Sequence, residues 1–170
     1  MTPPKLFPDT TKPKNVLPGN GEAIYHGPIF DSKKSDDYLG VLLRTTPFHH
    51  DEVIMYGKKI TTKRMIAFYS AKQMDYRYSN TSRRSRPWPK ILLEIKEKVE
   101  KIAGVTYNAC LLNYYEDGDC GLGWHSDKEC ISHDSSIASL SFGEERRFDF
   151  RRFDTKETIS IMLEHGSLLI

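Results

Sequence analysis

Apolar positions along the chain change their period near residue 104. Between Pro87 and Ala103, the residues Ile91, Leu92, Ile95, Val99 and Ile102 fall on one helical face, and Gly104 follows. That spacing predicts a helix over 87–103 that stops at the glycine. A shorter helix is predicted from Asp36 to Arg44, with Ser35 as its N-cap and Asp36 and Asp37 near its positive end. After Gly104 the period becomes two, the signature of strands. Thr106–Tyr115, Ser136–Phe142, Arg147–Phe153, Thr158–Leu163 and Ser167–Ile170 all read this way. In the third, Phe148 and Phe150 alternate with Arg147, Asp149 and Arg151; in the fourth, Ile159, Ile161 and Leu163 share a face. Upstream, Glu52–Tyr56, Arg64–Ser70 and Tyr76–Tyr78 are also expected to be strands, the first two joined by a turn region over 57–63.

Helices in the first half followed by consecutive short strands define an α+β chain whose body is an antiparallel sandwich or jelly roll, with the N-terminal helices packed on it. Residues 1–21 hold five of the nine prolines and read as a Pro-rich tail without an element of its own. Residues 22–170 are then one domain, which suits a length of 170 residues.

Composition narrows the class. The longest apolar runs, such as Ile91-Leu92-Leu93, are far shorter than the roughly 20 residues needed to cross a bilayer, and no apolar leader follows the N-terminal charges. Cys110, Cys120 and Cys130 are odd in number and form no CxxC pair, so free thiols in an intracellular protein are expected. The net charge of +2 names no partner, but its distribution is uneven. Residues 56–101 carry 13 Lys and Arg against 4 Asp and Glu, whereas residues 102–145 carry 1 against 8. A polyanion-facing surface beside a pocket for a cation would look like this; so would two solvated faces of opposite sign.

The sharpest local feature is Trp124-His125-Ser126-Asp127-Lys128-Glu129. In an extended strand His125 and Asp127 would converge on one face, and an imidazole beside a carboxylate suits a non-haem Fe(II) site. On its own, His-x-Asp is equally the pattern of a surface histidine beside acids. Tyr56, Tyr76 and Tyr78 stand among Lys58, Lys59, Lys63, Arg64, Arg77, Arg83, Arg84 and Arg86. Aromatics interleaved with basic residues offer base stacking with phosphate neutralisation, although tyrosine is also an ordinary strand residue. Arg83, Arg84 and Arg86 are also readable as a solvated loop. His49-His50, with Asp51-Glu52 behind them, and His133-Asp134 read as surface, and Trp124 as outer packing.

In order, Asn113-Tyr114-Tyr115, the Gly123–Glu129 stretch, Ile137–Gly143 and His165-Gly166-Ser167-Leu168-Leu169 resemble the AlkB family of Fe(II)/2-oxoglutarate-dependent dioxygenases, close to its double-stranded-DNA repair branch. The resemblance covers roughly residues 56–170. It implies a double-stranded β-helix and oxidative removal of alkyl groups from bases such as 1-methyladenine and 3-methylcytosine. It further implies Fe(II) held by His125 and Asp127, and 2-oxoglutarate as cosubstrate on Asn113 and Tyr115. Tyr76-Arg77-Tyr78 look like the family's substrate lid, Tyr56-Gly57-Lys58 like its hairpin wedge, Arg64 like a basic contact of the lid, and Lys128 and Glu129 like substrate contacts.

The implied partner is DNA, with RNA second, bound by a monomer away from any membrane, in a prokaryotic cytoplasm or a eukaryotic nucleus. In the family a second histidine ligand and two arginines follow the strand that matches Ser167–Ile170, and this sequence ends before them; His165 matches the turn before that strand, not the ligand. A domain shortened at its C-terminus is therefore expected. The alternative to a working enzyme is a nucleic-acid-binding fragment with impaired catalysis.

Overall fold

The computed structural model describes residues 13–19, 21–55, 58–72, 75–78, 81–127 and 136–170. The chain divides into two compact units, Met1–Val41 with His133–Ile170, and Leu42–Ser132. Among the described residues no helix is long and apolar enough to cross a membrane.

The first unit begins with β1 (Lys14–Asn15) and β2 (Ile24–Pro28), an antiparallel pair. Part of the expected tail is thus an element. Asn15 is the reason: its side-chain oxygen accepts the backbone N–H groups of Leu17 and Ala23 and closes the loop between the two strands. Helix α1 spans Ser32–Thr45, four residues earlier than expected, and Ser35 is not its cap. Asp31 takes that role, its carboxylate accepting the N–H of Lys34 at 2.8 Å, while Ser35 lies buried in the first turn.

The later strands of this unit are β8 (Ser139–Leu140), β9 (Arg146–Arg151), β10 (Thr158–Leu163) and β11 (Ser167–Leu169). They form two antiparallel sheets, β1-β2-β11-β8 and β9-β10. β10 has the expected bounds, whereas β8 keeps two residues of an expected seven. In β9 the predicted parity holds, because Phe148 and Phe150 meet edge to face at 5.0 Å, but Phe148 is exposed rather than half-buried. The core gathers Ala23, Leu163 and Leu169 with Tyr25, Phe150 and Ile161 around them. The turn from β10 to β11 needs Gly166: its φ is +74°, and a Cβ there would collide with the Ser35 hydroxyl.

The second unit carries a three-stranded antiparallel sheet, β3 (His49–Met55), β4 (Lys58–Ser70) and β7 (Ala109–Tyr114), in that order, plus a ribbon of β5 (Asp75–Tyr78) and β6 (Thr81–Arg84). The expected turn over 57–63 is strand from Lys58 onward, and the expected loop at Arg83-Arg84 is β6. Helix α2 (Lys90–Ala103) starts after Pro89, not at Pro87, and stops at Gly104, whose φ of 71° is left-handed and whose N–H bonds Glu100 O at 2.8 Å. It buries Leu92, Ile95 and Val99, the middle of the predicted stripe. Cys110 faces Tyr69 in the β4–β7 register, and burial pushes its thiol up to about 12. Cys120 is buried, and among the described residues neither Cys110 nor Cys120 is in a disulfide.

Candidate metal and cosubstrate site

Four of the residues singled out in the sequence lie on or just after β7 and in the irregular segment that follows it, all in the second unit. The pairing of β4 with β7 sets Ile66 opposite Asn113 and Met65 opposite Tyr114. Arg64 and Asn113 are therefore diagonal neighbours on one face, within reach of a long side chain. An Arg64 Nη donates to Asn113 Oδ1 at 2.9 Å. The other Nη donates to Asp51 Oδ2, making an ion pair whose side chains are 3% and 2% exposed.

Asp51 comes from β3, where the register with β4 shifts between His50 and Glu52: His50 faces Met65, but Glu52 faces Thr61. Such a bulge re-aims side chains. Here Asp51 and Arg64 are the ones that meet inside. Arg64, expected as a basic contact of the lid, sits on the middle strand of this sheet, buried and paired with Asp51. Sequence reading took Asp51 for surface; an aspartate next to two exposed histidines gave no hint of the bulge that buries it.

His125 and Asp127 do come together, though not as strand neighbours. Residues 120–127 contain no strand, so the expected parity is not what joins them. His125 Nδ1 lies 2.8 Å from Gly123 O. A carbonyl only accepts, so Nδ1 is the donor in this contact, and Nε2 is the nitrogen left on the Asp127 side. Nε2 lies 3.6 Å from Asp127 Oδ1, and the two side chains are 36% and 41% exposed. Metal-binding histidines share this arrangement, with one ring N–H given to a carbonyl and the other nitrogen turned toward the remaining ligands. The donor set, one imidazole nitrogen and one carboxylate oxygen, fits a divalent iron ion. Among the described residues no group of three His, Cys, Asp or Glu is placed to hold a metal ion.

The other expected site residues divide by place. Lys58 opens β4 and is exposed. Tyr76, Arg77 and Tyr78 lie on β5, paired with Arg83, Ser82 and Thr81 of β6. Tyr56, Gly57, Lys128 and Glu129 lie outside the described residues, as do His133 and Asp134. Trp124, beside the histidine, is 51% exposed. His165 belongs to the first unit, where its Nδ1 accepts the N–H of Gly143 at 2.8 Å and its Nε2 lies 3.3 Å from Asp36.

Comparison with known proteins gives the family. The model of the 2OG-Fe(II) oxygenase superfamily matches residues 22–170. The DNA oxidative demethylase ALKBH2 of Homo sapiens is 34% identical over 166 residues, covering 91% of this chain and 59% of that protein. Its Bos taurus counterpart is 34% identical over 147 residues, 81% of this chain and 50% of that protein. The alpha-ketoglutarate-dependent dioxygenase alkB homolog 3 of Rattus norvegicus is 32% identical over 158 residues, 86% of this chain and 52% of that protein. The chain belongs to the 2OG-Fe(II) oxygenase superfamily and, within it, to the AlkB family of dioxygenases. It spans about half the length of these curated relatives.

Proposed function

We propose that this protein oxidatively removes alkyl groups from nucleic-acid bases, 1-methyladenine and 3-methylcytosine first among them, with DNA as the main partner and RNA as the second. One observation carries the proposal: His125 Nδ1 held 2.8 Å from Gly123 O, with Nε2 turned to Asp127 at 3.6 Å. His125 and Asp127 would hold Fe(II), and Asn113 and Tyr115 would bind 2-oxoglutarate. With both present, the site supplies oxidation of an N-alkyl carbon by dioxygen, with succinate, CO2 and formaldehyde as products. The chain's own contribution is to fix the imidazole by its bond to Gly123 and to offer one carboxylate beside it.

Substrate handling in this proposal falls to Tyr76, Arg77 and Tyr78 as a stacking lid, to Tyr56, Gly57 and Lys58 as the wedge that takes the place of a flipped base, and to Lys128 and Glu129 beside that base. The excess of Lys and Arg over residues 56–101 supports a phosphate-facing surface. The antiparallel sheets support a double-stranded β-helix built by residues 22–170; in this proposal the protein acts as a monomer inside the cell.

The test is succinate and formaldehyde release on oligonucleotides carrying either methylated base. Loss of succinate release in Asp127→Ala is expected; undiminished turnover in Asp127→Ala would overturn the iron assignment. A second reading, nucleic-acid binding without turnover, draws on the excess of Lys and Arg over residues 56–101. Salt-sensitive binding with no succinate release is its outcome.

A further inference from the structure

We infer that Arg64 is a positioning residue: locked by the buried Asp51 carboxylate, it holds the Asn113 amide so that the NH2 end is offered to the cosubstrate. The inference rests on the reading of Asn113 as a 2-oxoglutarate residue. It gives Arg64 a task different from substrate contact.

A primary amide has an accepting end and a donating end, and it can turn either way. A carboxylate only accepts, so just one orientation of Asn113 serves an anionic cosubstrate; in the other, oxygen would face oxygen. A guanidinium only donates. Its contact with Asn113 Oδ1 at 2.9 Å therefore selects the useful orientation and leaves the two amide hydrogens for another acceptor. Asp51 in turn fixes the guanidinium, taking its second Nη inside the sheet.

The arrangement is poorly explained by stability alone. A buried ion pair is often no better for stability than apolar residues of the same volume. This one also leaves Arg64 Nε buried with no hydrogen-bond partner among the described residues. What the pair does accomplish is geometric: the bulge between His50 and Glu52 brings Asp51 to Arg64, and Arg64 reaches Asn113.

The experiment uses the 170-residue chain and two readouts. Anaerobic calorimetry with Fe(II) follows 2-oxoglutarate binding in the wild type, Arg64→Met, Asn113→Ala and the double variant. NMR follows the side-chain NH2 resonances of Asn113 in the wild type and Arg64→Met. Because Arg64→Met strands a buried carboxylate, Arg64→Met with Asp51→Leu is measured alongside to separate misfolding from misorientation.

Affinity is expected to fall about tenfold in either single variant and no further in the double one. The side-chain NH2 resonances of Asn113 are expected to shift without Arg64, because the amide oxygen loses its guanidinium donor. Additive losses of affinity, or resonances unchanged in Arg64→Met, would overturn the positioning role. If Asn113→Ala binds 2-oxoglutarate as well as the wild type, or the wild type does not bind it, the cosubstrate reading falls instead. The resonances then decide alone whether Arg64 holds the amide.

Discussion

Arg64–Asp51 and His125–Asp127 are both pairings of a basic side chain with an aspartate in the same unit, yet they have opposite physical character. The first is 3% and 2% exposed and joined by a direct charge-assisted hydrogen bond. The second is 36% and 41% exposed, and its facing atoms stand 3.6 Å apart, too far for a hydrogen bond. In the first, a donor meets an acceptor and the charge is settled inside the sheet. In the second, an imidazole nitrogen and a carboxylate oxygen face each other across a gap at an exposed position. Burial fixes the first pair in place; exposure leaves the second open to a ligand, which is what the proposed metal role requires.

The largest expected effect separates the two by stability. Asp51→Ala leaves a buried guanidinium without its counter-charge and should cost about 3–5 kcal/mol, whereas His125→Ala, at an exposed position, should stay within about 0.5 kcal/mol. Urea unfolding of both variants checks this, and similar midpoints would erase the distinction. The next separation is by metal. His125→Ala or Asp127→Ala should lower the affinity for Fe(II), or for Mn(II) followed by electron paramagnetic resonance, at least tenfold, about 1.4 kcal/mol. Arg64→Met with Asp51→Leu should leave metal affinity unchanged. The smallest effect concerns salt. Lys58→Gln should lessen the slope of log affinity for DNA against log salt by about one, because exposed Lys58 is free to neutralise a phosphate. Arg64→Met with Asp51→Leu should not change that slope, since the charge of Arg64 is already spent on Asp51. An equal change in both variants would mean that Arg64 reaches the nucleic acid.

What the sequence revealed follows from which forces act locally. The strand Thr158–Leu163 was legible because Ile159, Ile161 and Leu163 alternate without interruption, and the stop of α2 because Gly104 adopts a left-handed φ. The start of α1 was misplaced because Ser35 and Asp31 are both good caps, and only packing decides that Ser35 goes inside. The proximity of His125 and Asp127 was foreseen through strand parity, but the segment is irregular and the Gly123 carbonyl sets the ring instead. Asp51 could not be found at all. A bulge is a property of two strands, and its register shift leaves no mark on either strand's own pattern.

Cys110 has a consequence for the durability of a protein proposed to work beside Fe(II) and dioxygen. Peroxide attacks the thiolate rather than the thiol, so the rate of damage follows the ionised fraction. With burial pushing its ionisation up to about 12, Cys110 stays a thiol at neutral pH. The sulfur on β7, three residues before Asn113, is therefore chemically quiet. Stray oxidant generated near the strand would leave this position unmarked, and the spacing of the strand that carries Asn113 would survive intact.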